Sequence, residues 1–137
     1  MGVQPFLISS SLIGVLAQRL VKKLCSECKE PFPLTQYEKE ILDIKEVPST
    51  AEPCRPVGCE HCKGTGYSGM TVVAELLTIT DAIRQLILKK VDSTSIKRKG
   101  VEEGMVTLAM DAIDKIYNGT TSVQEVLRAI VSEAEEE

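Results

Sequence analysis

Four cysteines carry the clearest chemistry in this sequence. Cys25-Ser-Glu-Cys28 and Cys59-Glu-His-Cys62 are two C-x2-C pairs with thirty residues between them. Two residues between thiolates let a tight turn aim both sulfurs at one point, and two such turns complete a tetrahedron. Zn²⁺ suits four thiolates because it imposes no geometry of its own and has no redox chemistry. The spacing predicts one structural zinc per chain, held by Cys25, Cys28, Cys59 and Cys62. With all four positions filled by cysteine, no place is left for water or substrate, so the site is structural rather than catalytic. A single iron in a rubredoxin-like site is the rival reading, because the same knuckles suit it. Cys54 is the odd thiol, and C-x4-C to Cys59 is a loose knuckle, so it is read as free. His61 sits inside the second knuckle and is read as a solvated spacer.

The elements that must position these cysteines follow from periodicity and punctuation. Between Pro5 and Leu24, apolar residues Leu12, Val15, Leu16, Ala17, Leu20 and Leu24 recur at spacings of one, three and four, which predicts a helix running into Cys25. Thr35 with Glu38 forms a capping box opening a short helix through about Ile44. Residues 46–58 hold Pro48, Pro53, Pro56 and Gly58 and read as a loop. Met70 to Leu77, rich in Val and Thr, reads as a short strand. Helices are then expected over 81–90 with Thr80 as cap, over 93–99 stopped by Gly100, after Thr107, and after Ser122 with Glu125 as a second capping box. The expected fold class is mainly α with a short β element: a helical bundle plus a tetracysteine excursion. The domain reading is 1–24 as a helix, 25–69 as the cysteine subdomain and 70–137 as the strand and bundle.

Composition narrows the function classes. The chain has 137 residues, 43% hydrophobic but only 4% aromatic, with no Trp. That argues against platforms for stacking bases. Net charge is −4, yet Glu133, Glu135, Glu136 and Glu137 crowd the last five residues; the rest balances. A neutral body offers nucleic acid no electrostatic attraction, so no nucleic-acid partner is expected. Five cysteines, an odd number, without a basic residue before the apolar start, point to a cytoplasmic chain rather than a secreted disulfide scaffold. No G-x-x-x-x-G-K-[ST] loop is present.

Three segments together resemble a known family. Gly2 to Gly14 followed by Ala17-Gln-Arg-Leu-Val21 is similar to the segment after the histidine box of secretion ATPases. The cysteine pairs closing on Gly64-Thr-Gly-Tyr-Ser-Gly69 resemble their tetracysteine finger. Glu102-Glu-Gly-Met-Val-Thr-Leu108, with Asn118-Gly-Thr-Thr-Ser-Val-Gln-Glu125, resembles their C-terminal helical part. The match is to the C-terminal region of the type II secretion and type IV pilus assembly ATPases. The resemblance implies hexameric motors, cytoplasmic and peripheral to the inner membrane, docked on platform proteins. It carries Cys25, Cys28, Cys59 and Cys62 over as zinc ligands; Ala82-Ile-Arg-Gln-Leu-Ile87 is similar to a helix motif of the related pilus-retraction motors, which makes Arg84 a functional helix residue, and a plain amphipathic helix accounts for that segment equally well. Met70 stands where the family usually has arginine. The Walker A loop, acidic boxes and histidine box of the family have no counterpart in these residues, so the expectation is that the chain is not itself an enzyme.

Overall fold

The computed structural model describes residues 14–136, with side chains through residue 130. In chain order the elements are β1 (Gly14–Leu24), β2 (Glu30–Pro31), α1 (Gln36–Ile41), β3 (Cys54–Arg55), β4 (Tyr67–Thr78), α2 (Asp81–Leu88), α3 (Ser93–Glu102), α4 (Leu108–Tyr117) and α5 (Val123–Glu136). β1 pairs with β4 in one two-stranded sheet, and β2 with β3 in another. The smaller sheet is antiparallel, with Glu30 opposite Arg55 and Pro31 opposite Cys54.

The expected mainly α fold does not hold: the chain mixes helix and strand. Residues 14–24, read as the end of a helix, form an 11-residue strand, and the short strand near residue 70 is a 12-residue one. The remainder of that expected helix, residues 5–13, lies outside the described residues. The sequence misleads because Leu16, Leu20 and Leu24 fit an i+4 helical stripe and also share one face of a strand. In the strand, Val21 is fully buried while Leu16 and Leu20 are each 57% exposed, on the same side as Gln18 and Lys22. Strand formation is a non-local event, and the partner β4, with Thr71, Val72 and Val73 in a row, supplies a β-branched surface for β1 to pair with.

Two compact units divide the chain: Met1–Gln18 with Ala74–Leu108, and Arg19–Val73 with Ala109–Glu137. In the first, α2 packs against α3, and Ile79, Ile83 and Leu108 are buried. The caps follow side-chain chemistry. Thr80 accepts from the Ile83 N–H at 3.3 Å, and Asp92 accepts from Ser95 at 2.9 Å. α3 runs through Gly100 rather than stopping there, because Gly100 is buried where a Cβ would lie 2.7 Å from Leu77 Cδ1. The absent side chain serves close packing, and Gly104, at φ +101°, follows the helix end instead. The Glu75 carboxylate accepts the Leu108 N–H at 2.6 Å at the start of α4 and pairs with Lys97.

The second unit holds all five cysteines and a core of Val21, Leu24, Leu34, Val73, Ala112, Ile116, Val123, Val126 and Ala129. The expected Thr35–Glu38 capping box is complete. Ser122 caps α5 by accepting the Glu125 N–H at 3.2 Å. Glu125 turns outward from that box and accepts the backbone N–H of Lys22 at 2.8 Å, while Thr121 Oγ1 donates to the Lys22 carbonyl at 2.7 Å. Leu24 N–H adds a bond to the Thr120 carbonyl at 2.9 Å. Residues 120–125 thus occupy the free edge of β1, which would otherwise present unpaired backbone groups.

Candidate metal centre

The two knuckles meet because three local structures bring them together. β1 delivers Cys25 into the core, where it is fully buried. The chain then turns, with the Cys28 and Lys29 N–H groups both reaching the Cys25 carbonyl. The second knuckle turns through Lys63 at φ +57° and Gly64 at φ +79°, and Gly64 N–H donates to the Cys59 carbonyl at 2.8 Å. Between them, the β2–β3 pair closes the excursion. There Glu30 and Arg55 bridge at 3.0 Å, and the Arg55 guanidinium lies 4.8 Å from the Phe32 ring centre.

All four sulfurs lie within 4.8 Å of one another. Cys25–Cys59, Cys28–Cys62 and Cys59–Cys62 are each separated by 3.8 Å between sulfurs. A tetrahedron with metal–sulfur bonds of ~2.3 Å has edges of about 3.8 Å. The sulfurs therefore stand where ligands of one metal ion stand. Disulfide bonding needs ~2.05 Å, and none of the four is so paired.

Backbone amides point at two of the sulfurs. Cys62 Sγ accepts from Cys59 N–H at 3.2 Å and Gly66 N–H at 3.1 Å; Cys28 Sγ accepts from Gly58 N–H at 3.3 Å. Burial resists ionisation of Cys62, but these two amides and the Cys59 and Cys28 thiols overcome it and lower its pKa to about 6. At Cys28 the Gly58 amide pulls the other way from burial and from the three neighbouring sulfurs, which together raise its pKa to about 11. Four thiolates this close together repel one another. Only a cation lets all four sulfurs carry charge together.

In the sequence Gly58 reads only as a loop residue and Gly66 only as part of Gly64-Thr-Gly-Tyr-Ser-Gly69, yet both donate a backbone N–H to a cluster sulfur. Gly66, at φ +83°, uses both backbone groups: its N–H on Cys62 Sγ, and its carbonyl for Cys25 N–H at 2.9 Å. It therefore joins the two knuckles directly. His61 is exposed and does not belong to the sulfur cluster. Cys54 is half-buried and donates to the Glu52 carbonyl. Arg84 lies in the first unit, on α2, 3.6 Å from Asp81.

Residues 1–128 match the family described as Type II/IV secretion system protein. The chain belongs to that family. It is 43% identical over 128 residues to the Type II secretion system protein E of Aeromonas hydrophila, covering 93% of the chain and 25% of the relative. Against the Type II secretion system ATPase E of Vibrio cholerae the identity is 40% over 131 residues, with 93% and 25% covered. The Type IV pilus assembly ATPase PilB of Thermus thermophilus is 42% identical over 130 residues, with 93% and 14% covered. The chain thus spans a quarter or less of these relatives. Membership of the secretion system family corrects the expectation that the chain is no enzyme: the Vibrio and Thermus relatives are named ATPases, so it stands as part of an ATPase family. No helix among the described residues is long and apolar enough to cross a membrane.

Proposed function

We propose that this chain is the C-terminal part of a secretion or pilus assembly motor, and that Cys25, Cys28, Cys59 and Cys62 hold one structural zinc in it. The observation that carries the zinc reading is the set of 3.8 Å sulfur separations around a closed, all-thiolate centre. A loop-rich segment such as 25–62 gains more from metal than from its few buried apolar side chains; structural zinc contributes roughly 10–16 kcal/mol of apparent binding energy at neutral pH. The ion staples the excursion to the end of β1 and the start of β4. In the parent, a cytoplasmic ATP-driven hexamer peripheral to the inner membrane, the excursion docks on a platform protein and passes motion to it. Its exposed Phe32, Tyr37, Ile41 and Val57 support that role.

Elemental analysis of protein purified under reducing conditions tests the metal. One zinc per chain is the expected result. Iron would replace the structural reading with a redox one, and the absence of any bound metal would end it.

A further inference from the structure

The four cysteines are not equivalent. Two features set the reactivity of a metal-bound thiolate toward an electrophile: whether the electrophile can reach the sulfur, and how much negative charge the sulfur retains. Hydrogen bonds from amides withdraw that charge and tune the centre from outside the ligand set.

Access removes two candidates. Cys25 is fully buried and Cys62 is 6% exposed, whereas Cys28 and Cys59 are partly open. Amide donation separates the remaining two. Cys28 accepts the Gly58 N–H at 3.3 Å. Among the described residues no N–H reaches Cys59 Sγ, whose hydrogen-bond-range neighbours are the sulfurs of Cys25 and Cys62. Cys62, with two amide donors, is the most shielded sulfur as well as a buried one. Only Cys59 is both reachable and undiminished.

We propose that Cys59 is a modification site: the sulfur at which soft electrophiles of the peroxide class enter and open the metal centre. This rests on the tetrathiolate zinc reading. In the step, the Cys59 thiolate attacks one oxygen of hydrogen peroxide. An S–O bond forms, the O–O bond breaks, and hydroxide leaves with the electron pair. Sulfur is oxidised by two electrons to the sulfenic acid and peroxide is reduced. The sulfenic acid is no longer an anionic ligand, so the ion is left with three thiolates and exchanges into solution.

The test uses the zinc-loaded chain carrying Cys54→Ser, which removes the one thiol outside the cluster. Hydrogen peroxide is added below one equivalent, with dimedone to trap sulfenic acid and a chromogenic chelator to report zinc. Peptide mapping by mass spectrometry is expected to find several-fold more trap on Cys59 than on Cys28, with zinc release tracking the label. A preference for Cys28, an even spread over the cluster, or label on Cys59 without zinc release would each overturn the assignment. Iodoacetamide, which alkylates sulfur with loss of iodide, gives the same comparison without depending on the lifetime of a sulfenic acid. Should Cys54→Ser fail to hold zinc, the native chain is mapped in the same way with Cys54 scored separately. A native chain that purifies without zinc sinks the tetrathiolate reading itself; a loaded chain labelled elsewhere sinks only the role of Cys59.

Discussion

At the scale of single residues, the sulfur cluster depends on backbone as much as on the cysteines themselves. Gly66 illustrates this. A Cβ there would lie 2.6 Å from Pro56 Cβ and 3.3 Å from Val57 N, in a backbone conformation at φ +83° that side chains rarely adopt. Neither a proline ring nor a main chain moves aside cheaply, and a non-glycine residue in that region costs of order 1–3 kcal/mol. The same substitution displaces the N–H on Cys62 and the carbonyl that receives Cys25 N–H. Gly66→Ala is therefore expected to lower stability by about 2 kcal/mol and to weaken metal retention together with it. Thermal unfolding and competition with a chelator of known affinity measure the two effects. Gly64→Ala serves as a control, since a Cβ there meets nothing within 4 Å; a larger loss in the control would show that close approach is not the cause.

At the scale of elements, the contact between β1 and the start of α5 carries a pH dependence. Glu125 is buried and holds the Lys22 N–H. The Arg128 side chain, 3.0 Å away, is the largest influence on its carboxyl; burial opposes it, and the Lys22 amide adds to it, so the folded pKa lies below the ordinary 4.5. As acid is added, the unfolded chain takes its proton first. The stabilisation is complete above 4.5 and disappears as pH falls through the lower folded value. Glu125→Gln keeps an acceptor for Lys22 but loses the charge. Its cost is expected to be about 1–2 kcal/mol at neutral pH and to shrink toward zero in acid, as read from urea unfolding at several pH values. Parallel pH profiles for the two proteins would show that ionisation of Glu125 contributes nothing.

For the whole molecule, the two units separate the residues on which the functional reading rests: the sulfur cluster belongs to one, and Arg84 to the other. Docking by the excursion is testable without disturbing either core. Tyr37 is 69% exposed and Ile41 43% exposed, one turn apart on α1. The double variant Tyr37→Ser, Ile41→Ser is expected to leave unfolding and metal content unchanged and to weaken capture of the platform protein at least tenfold, measured by titration with the purified platform's cytoplasmic part. Unchanged affinity would remove this face from the docking reading. Lys29 makes a poorer probe, because its ammonium donates to the Gly119 carbonyl at 3.0 Å and so holds the fold.

Much of the site was legible in one dimension because the information is local. Two residues between cysteines define a turn, and the caps at Thr35, Thr80 and Ser122 each rest on a side chain bonding an amide three residues on. Family membership was legible for the same reason, in short runs of residues kept in order. What the sequence left open was decided by partners distant along the chain. Residues 14–24 satisfy a helical and an alternating pattern at once, and pairing with β4 chooses the strand. Gly100 resembles a helix stop and proves to be a packing contact with Leu77. The inequality of the four sulfurs has no trace in C-x2-C spacing, because it is set by amides of Gly58 and Gly66 and by burial, which exist only once the knuckles have closed on each other.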